Sequence, residues 1–167
     1  PTNSWRIRGS VEFEFPRGKY LGAGTVALVV NFDPVKEPAR ASAFRSKFNV
    51  AGWVQLFGPF RGNLSNGDDT VQLRRPDPPQ PAGRPDAGDV PYIVADWVEY
   101  ADNTPWPTAA DGRGSSLQRR LALSHGNDVT NWVALLPSPG RESGIDSDGD
   151  GMSDSWEHAH GLAPLSA

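Results

Sequence analysis

The chain has 167 residues, a formal net charge of −4 and no cysteine. This length allows one domain of ordinary size with its own hydrophobic core, and the lack of cysteine excludes a disulfide framework and thiolate metal sites. No apolar run approaches the roughly 20 residues that cross a bilayer. We therefore expect no membrane span. The basic residues are dispersed along the chain and form no basic stripe in the sequence, so we expect no nucleic-acid binding.

The first third of the chain predicts strands and one helix. Residues 5–15 alternate apolar and polar side chains, which predicts a strand with one buried face, and Gly9 within it predicts a bulge or bend. The apolar, β-branched run at residues 25–32 predicts an interior strand. Apolar residues at helical spacing predict a short helix over residues 40–48.

The remaining segments predict further strands separated by turns. The dipeptide Asn66-Gly67 favours a tight reversal, after which residues 70–74 are expected to return as the partner of residues 53–57. Residues 75–89 contain five prolines and no large apolar group, which predicts an exposed loop. The later strands are predicted at residues 92–100, 116–123 and 132–136. Short strands, frequent turns and one helix predict an all-β fold, an antiparallel β-sandwich.

Four ordered blocks of the sequence carry a resemblance to a known family. They read SWRIRGSVEFEFPRGKYLGAGTVALVV, LFGPFRGNLSNGDDTVQLRR, DWVEYADNTPWPTAADGRGSSLQRR and NDVTNWVALLPSPG, and across residues 4–140 they resemble the bacterial lamin-tail domain. The resemblance implies an immunoglobulin-like sandwich over residues 1–140. It also implies a non-catalytic module of a large secreted or cell-surface bacterial protein. The family's first strands are not matched, so we expect an N-terminally incomplete sheet with an open edge.

The segment DSDGDGMSDSWE, residues 146–157, holds five acidic residues and no Lys or Arg. An EF-hand loop binds Ca²⁺ through oxygens at positions 1, 3, 5, 7, 9 and 12, with glycine at position 6. Counted from the first aspartate, those ligand positions are Asp146, Asp148, Asp150, Met152, Asp154 and Glu157. Met152 would contribute its backbone carbonyl, and Gly151 would permit the turn. The pattern predicts Ca²⁺ as the cofactor. A bound cation would offset the repulsion among the five carboxylates, and its binding free energy would stabilise the folded loop.

The flanks of this loop define its type. Prolines and glycines in LPSPGRESGI exclude an incoming helix, whereas SWEHAHG predicts a short exit helix that stops at Gly161. Residues 144–164 therefore resemble the one-helix calcium repeats of thrombospondin type 3 and dockerin-like proteins, which implies extracellular use. We expect residues 141–167 to form a small calcium-binding unit. The alternatives are a solvated acidic linker and a helix cap formed by Asp154 and Glu157.

Nothing in the sequence indicates catalysis. GAGTVA, residues 22–27, has dinucleotide-motif spacing but is followed by a predicted strand instead of the required helix. Four tryptophans, Trp5, Trp53, Trp97 and Trp132, are expected in the core, and Trp106 in a loop.

Two functional hypotheses remain. The first is an adhesion or scaffold module, not an enzyme, whose partners are calcium, neighbouring domains, and a surface protein or polysaccharide. The alternative is a carbohydrate-binding module attached to a secreted hydrolase, with Trp106 or a tyrosine as its platform.

Overall fold

The computed structural model describes residues 3–22, 24–141, 148, 154–163 and 165–166. Within these residues the strands are β1 (Arg6–Gly9), β2 (Val11–Glu14), β3 (Ala27–Val29), β4 (Gln55–Phe57), β5 (Arg61–Gly62), β6 (Asp68–Pro76), β7 (Tyr92–Ala101), β8 (Ser116–Arg119) and β9 (Trp132–Leu135). The α-helices are α1 (Pro38–Phe48) and α2 (Asp154–Ala159). Single 3₁₀ turns lie at Thr108–Ala110 and Val129–Asn131.

The strands form one larger sheet and two strand pairs. An antiparallel five-stranded sheet has the order β5-β2-β1-β6-β7, while β3 pairs with β4 and β8 pairs with β9. The structure is mostly β, which confirms the predicted all-β class. Helix α1 lies in the central part of the chain. The helix predicted over residues 40–48 is confirmed as α1, and the proline-rich connection before β7 is largely exposed.

The N-terminal alternation folds as two strands, so the prediction of one strand was wrong. β1 and β2 run antiparallel, with Ile7 opposite Phe13, and the chain reverses after Gly9. Gly9 has a φ of 118°, and a Cβ there would lie 2.1 Å from the carbonyl oxygen of Thr70. Both the reversal and the close approach of β6 therefore require glycine at this position.

The predicted pairing of the middle strands was also wrong. β4 does not pair with β6; it runs parallel to β3, with Leu28 opposite Leu56, and α1 lies between them in sequence. Parallel strands need a long crossover connection, which the helix provides. Phe44 of α1 packs on Phe32, with ring centroids 6.0 Å apart. The fold therefore departs from a purely antiparallel arrangement.

The inner face of the five-stranded sheet packs against the strand pairs. The rings of Phe13 and Phe15 contact Phe57 of β4, with centroids 6.3 Å and 5.4 Å away. On the same inner face, at the β7 edge of the sheet, Asp96 forms an ion pair with Arg119 of β8. The buried apolar side chains of the described residues are Val11, Val30, Phe32, Val50, Val54 and Phe57.

Two of the four tryptophans expected in the core are exposed. Trp5 is 44% and Trp53 69% exposed, so their placement in the core was wrong, while Trp97 and Trp132 are half-buried. Trp5 precedes β1 and Trp53 lies in the turn that leads to β4, so neither is held in a strand.

Candidate metal centre

The segment leading to the acidic loop is anchored on the turn after α1. Gly140 is buried, and a Cβ added to it would lie 3.1 Å from Cγ1 of Val54 and 3.3 Å from Cγ1 of Val50. The next residue, Arg141, donates a hydrogen bond from Nη2 to the carbonyl oxygen of Asn49 at 3.0 Å. Residues 140–141 are therefore held against the body of the protein.

The exit helix α2 has the bounds expected from the sequence. It begins at Asp154 and ends at Ala159, and Gly161 follows with a φ of 74°. The backbone N–H of Leu162 donates to the carbonyl oxygen of Glu157 at 2.8 Å, which closes the helix end. His158 lines a cleft of about 910 Å³ together with Phe44 and Phe48 of α1. The prediction of a short exit helix is confirmed.

Two acidic side chains of α2 are buried. Asp154 is 3% and Glu157 1% exposed, and they are the only buried charged side chains among the described residues. They are three residues apart, so they lie on the same side of the helix. Nearby in sequence, Oδ2 of Asp148 is shielded from solvent, as is Oε2 of Glu157.

Burial of ionised carboxylates is unfavourable unless positive charge accompanies them. Moving a carboxylate out of water costs several kcal/mol, and a well-placed cation offsets a free energy of about that size. Side-chain oxygens at positions 9 and 12 of a calcium loop must face inward, where the ion binds. The burial of Asp154 and Glu157 fits that requirement, and their hard oxygen donors suit Ca²⁺ in preference to a softer metal.

The structure describes half of the predicted ligand set. Asp148, Asp154 and Glu157 belong to the described residues, whereas Asp146, Asp150 and Met152 lie outside them. Among the described residues, no group of three or more His, Asp or Glu side chains is arranged to hold a metal ion. The prediction of a complete six-ligand site therefore stays a prediction.

The sugar platform suggested by the sequence is packed against a second ring. Trp106 is half-buried, and its ring centroid lies 6.0 Å from that of Trp132. Trp132 in turn donates from Nε1 to the carbonyl oxygen of Gly126 at 2.8 Å. Trp106 is therefore one half of an aromatic pair, which does not favour an isolated stacking surface.

Strand pairing creates an arginine cluster that no local sequence pattern predicts. Arg6 lies directly across from Arg74 in the five-stranded sheet, although the two are far apart in the chain. Only the pairing register of β1 against β6 reveals this pair, and a local pattern of apolar and polar residues does not contain that register.

Comparison of the chain with protein-family models, with curated proteins and with solved structures finds no match. Of the helices in the described parts of the chain, none is long and apolar enough to cross a membrane. Functional conclusions therefore rest on the residues themselves.

Proposed function

We propose that the chain is a non-catalytic adhesion or scaffold module of a secreted or cell-surface bacterial protein, and that it binds Ca²⁺ through residues 146–157. The observation that supports the calcium proposal best is the burial of Asp154 and Glu157. These residues occupy positions 9 and 12 of the sequence pattern, where a calcium loop needs inward-facing oxygens.

In this proposal six residues supply the ligands. They are the side chains of Asp146, Asp148, Asp150, Asp154 and Glu157 and the backbone carbonyl of Met152. When bound, the ion supplies positive charge that offsets the repulsion among five carboxylates. Because the ligands converge only around that charge, its binding free energy stabilises the folded segment.

The β-rich body would present surface loops and the sheet face to a partner. The lamin-tail resemblance over residues 4–140 supports an immunoglobulin-like arrangement, in which the five-stranded sheet is opposed by the two strand pairs. The contacts that Phe57 and Arg119 of the strand pairs make with the inner face of the sheet support this arrangement.

The calcium unit would fix the direction in which the chain leaves this body. Residues 140–141, which precede the acidic loop, are held on the body, and the exit helix α2 places His158 in the lining of the cleft beside α1. A calcium ion between residues 140–141 and α2 would hold a following domain in one orientation, which is the function expected of a scaffold.

Isothermal titration of chelator-treated protein with CaCl₂ tests the calcium proposal. We expect saturable heat in the parent protein and none in an Asp148→Ala/Asp150→Ala variant. The matched control is Asp86→Ala/Asp89→Ala, which removes the same charge from the exposed proline-rich loop and should titrate like the parent. Absence of heat in the parent, or equal heats in all three proteins, would refute the proposed site.

A further inference from the structure

The outer face of the five-stranded sheet gathers arginines from neighbouring strands. Residues directly opposite each other in an antiparallel pair share a face. Arg6 of β1 lies opposite Arg74 of β6, and Arg8 lies opposite Gln72. Their neighbour Ile7 lies opposite Phe13 of the inner face. The three arginines therefore project from the side of the sheet that faces away from the strand pairs.

Strand β7 adds aromatic rings to the same face. The pairing of β6 with β7 shifts between Leu73 and Arg74, so that Val94 lies opposite Arg74 and Trp97 lies opposite Gln72. This bulge places Trp97 on the outer face although it is an odd number of residues from Val94. The arginine face is defined here as Arg6, Arg8, Gln72, Arg74, Tyr92 and Trp97.

Two of the three arginines on the arginine face have polar side-chain partners. Arg8 forms an ion pair with Glu14, and Arg74 donates from Nε to Oε1 of Gln72 at 2.9 Å. The guanidinium of Arg6 lies over the ring of Tyr92, 3.3 Å from its centroid. Within the described part of the chain it has no hydrogen-bond acceptor at Nε, which is shielded from solvent.

Arg6 and Arg74 lie side by side on neighbouring strands. Like charges directly opposite on neighbouring strands repel each other. Glu14, opposite Arg6 on β2, forms its ion pair with Arg8, and the neutral Gln72 amide does not neutralise Arg74. A carboxylate bound to both guanidinium groups would remove this repulsion, and it would form charge-assisted hydrogen bonds in the geometry that arginine favours.

We propose that the arginine face binds an acidic polysaccharide rich in uronic acids, with a sugar carboxylate held between Arg6 and Arg74. The ring of Trp97 would pack on the apolar face of a sugar ring, while the ring of Tyr92 positions the Arg6 guanidinium. The face spans three neighbouring strands, which suits an extended polymer that lies across them.

The charges around the arginines favour this partner over a nucleic acid. The exposed carboxylates Glu12, Glu14 and Glu99 lie among the arginines, and the whole chain has a net charge of −4. These carboxylates would repel the closely spaced phosphates of a nucleic acid. They can accept hydrogen bonds from sugar hydroxyls, which a sugar polymer offers along its whole length.

This inference rests on the proposed adhesion role only in naming a polymer as the partner, and it makes no use of calcium. All binding is therefore measured in excess chelator, which also prevents calcium from bridging the protein and the polymer. Loss of calcium binding and loss of polymer binding are then separate results.

The experiment is affinity electrophoresis of the full chain in gels containing polygalacturonate. We expect the polymer to retard the parent protein, and an Arg6→Gln/Arg74→Gln variant to bind at least about tenfold more weakly, because both charge-assisted contacts to the carboxylate are lost. The matched control is Arg17→Gln/Arg75→Gln, which removes the same charge from exposed positions away from this face and should bind like the parent. Circular dichroism checks that every variant is folded, and Arg6→Lys/Arg74→Lys provides a milder change that keeps the charge.

Three outcomes would overturn the proposal. They are no retardation of the parent protein, an equal loss of binding in the control variant, and equal or tighter binding to single-stranded DNA or poly-aspartate. The last result would show that the face selects charge alone and not a sugar polymer. Weaker binding by the Lys variant than by the parent would support a bidentate arginine contact.

Discussion

Asp96 of β7 and Arg119 of β8 form an ion pair that joins the five-stranded sheet to the β8–β9 pair. Asp96 Oδ1 also accepts a hydrogen bond from the backbone N–H of Trp97 at 2.9 Å. Arg119 also donates to the carbonyl oxygen of Ser124, in the loop that follows β8. This arginine therefore links two layers and a loop through charge-assisted hydrogen bonds.

Replacing Arg119 with methionine should weaken the connection between the layers. The change keeps much of the side-chain volume but leaves Asp96 without its cation, so we expect the free energy of unfolding to fall by about 1–2 kcal/mol. Urea denaturation measures the difference. Arg113→Met in an exposed loop is the control and should unfold like the parent; an equal loss in both variants would contradict a specific role for Arg119.

Gly140 provides a test of how the calcium unit is anchored. Its φ of 78° disfavours any side chain, and a Cβ would also press on Val54 and Val50. We expect Gly140→Ala to lower the free energy of unfolding by about 2–3 kcal/mol. In Gly112→Ala the added Cβ meets nothing within 4 Å at a φ of 63°, so only backbone strain of about 1 kcal/mol should appear. Equal losses in urea denaturation would mean that contact with the valines is unimportant.

Tyr100 should make the protein sensitive to alkaline pH. Burial, followed by the charges of Asp69 and Asp68, raises the pKa of its phenol above the ordinary value of 10.0. The unfolded chain then loses this proton at a lower pH than the folded protein. The stability contributed by the neutral phenol is therefore fully present below pH 10 and is lost as pH rises through the folded pKa.

The difference between Tyr100→Phe and Tyr20→Phe isolates this effect. Tyr20, which is 80% exposed, provides the matched Tyr20→Phe control, and the urea midpoint of each protein is measured between about pH 8 and 11. Tyr100→Phe also removes a 2.7 Å hydrogen bond to the carbonyl oxygen of Ser65, which lowers stability near neutral pH. Above pH 10 its curve should fall less steeply than that of the parent; parallel curves would contradict the shifted titration.

The sequence correctly predicted those helices and strands that a pattern within a short stretch of residues identifies. Helix α1 and the last strand β9 lie close to their predicted bounds because helical spacing and β-branched runs are read within a short window. The exit helix α2 was predicted by the same reasoning, from the acidic loop before it and Gly161 after it. The pattern of the calcium loop likewise indicated which carboxylates to examine, and Asp154 and Glu157 are buried.

Non-local pairing accounts for what the sequence did not predict. The reversal at Gly9 is set by the approach of Thr70, and the parallel pairing of β3 with β4 is set by the crossover through α1. Neither relationship leaves a local trace. The same holds for Arg6 and Arg74, which appear dispersed in the sequence because only the strand register brings them together.

The calcium proposal is tested most directly by amide hydrogen exchange of the C-terminal segment in millimolar calcium and in chelator. If an ion binds among the carboxylates, exchange at residues 154–163 should slow markedly in calcium, because α2 is then held by its own buried ligands. Strands β6 and β7 serve as the internal reference and should exchange at the same rate in both conditions. Identical exchange of α2 with calcium and with chelator would contradict the proposal.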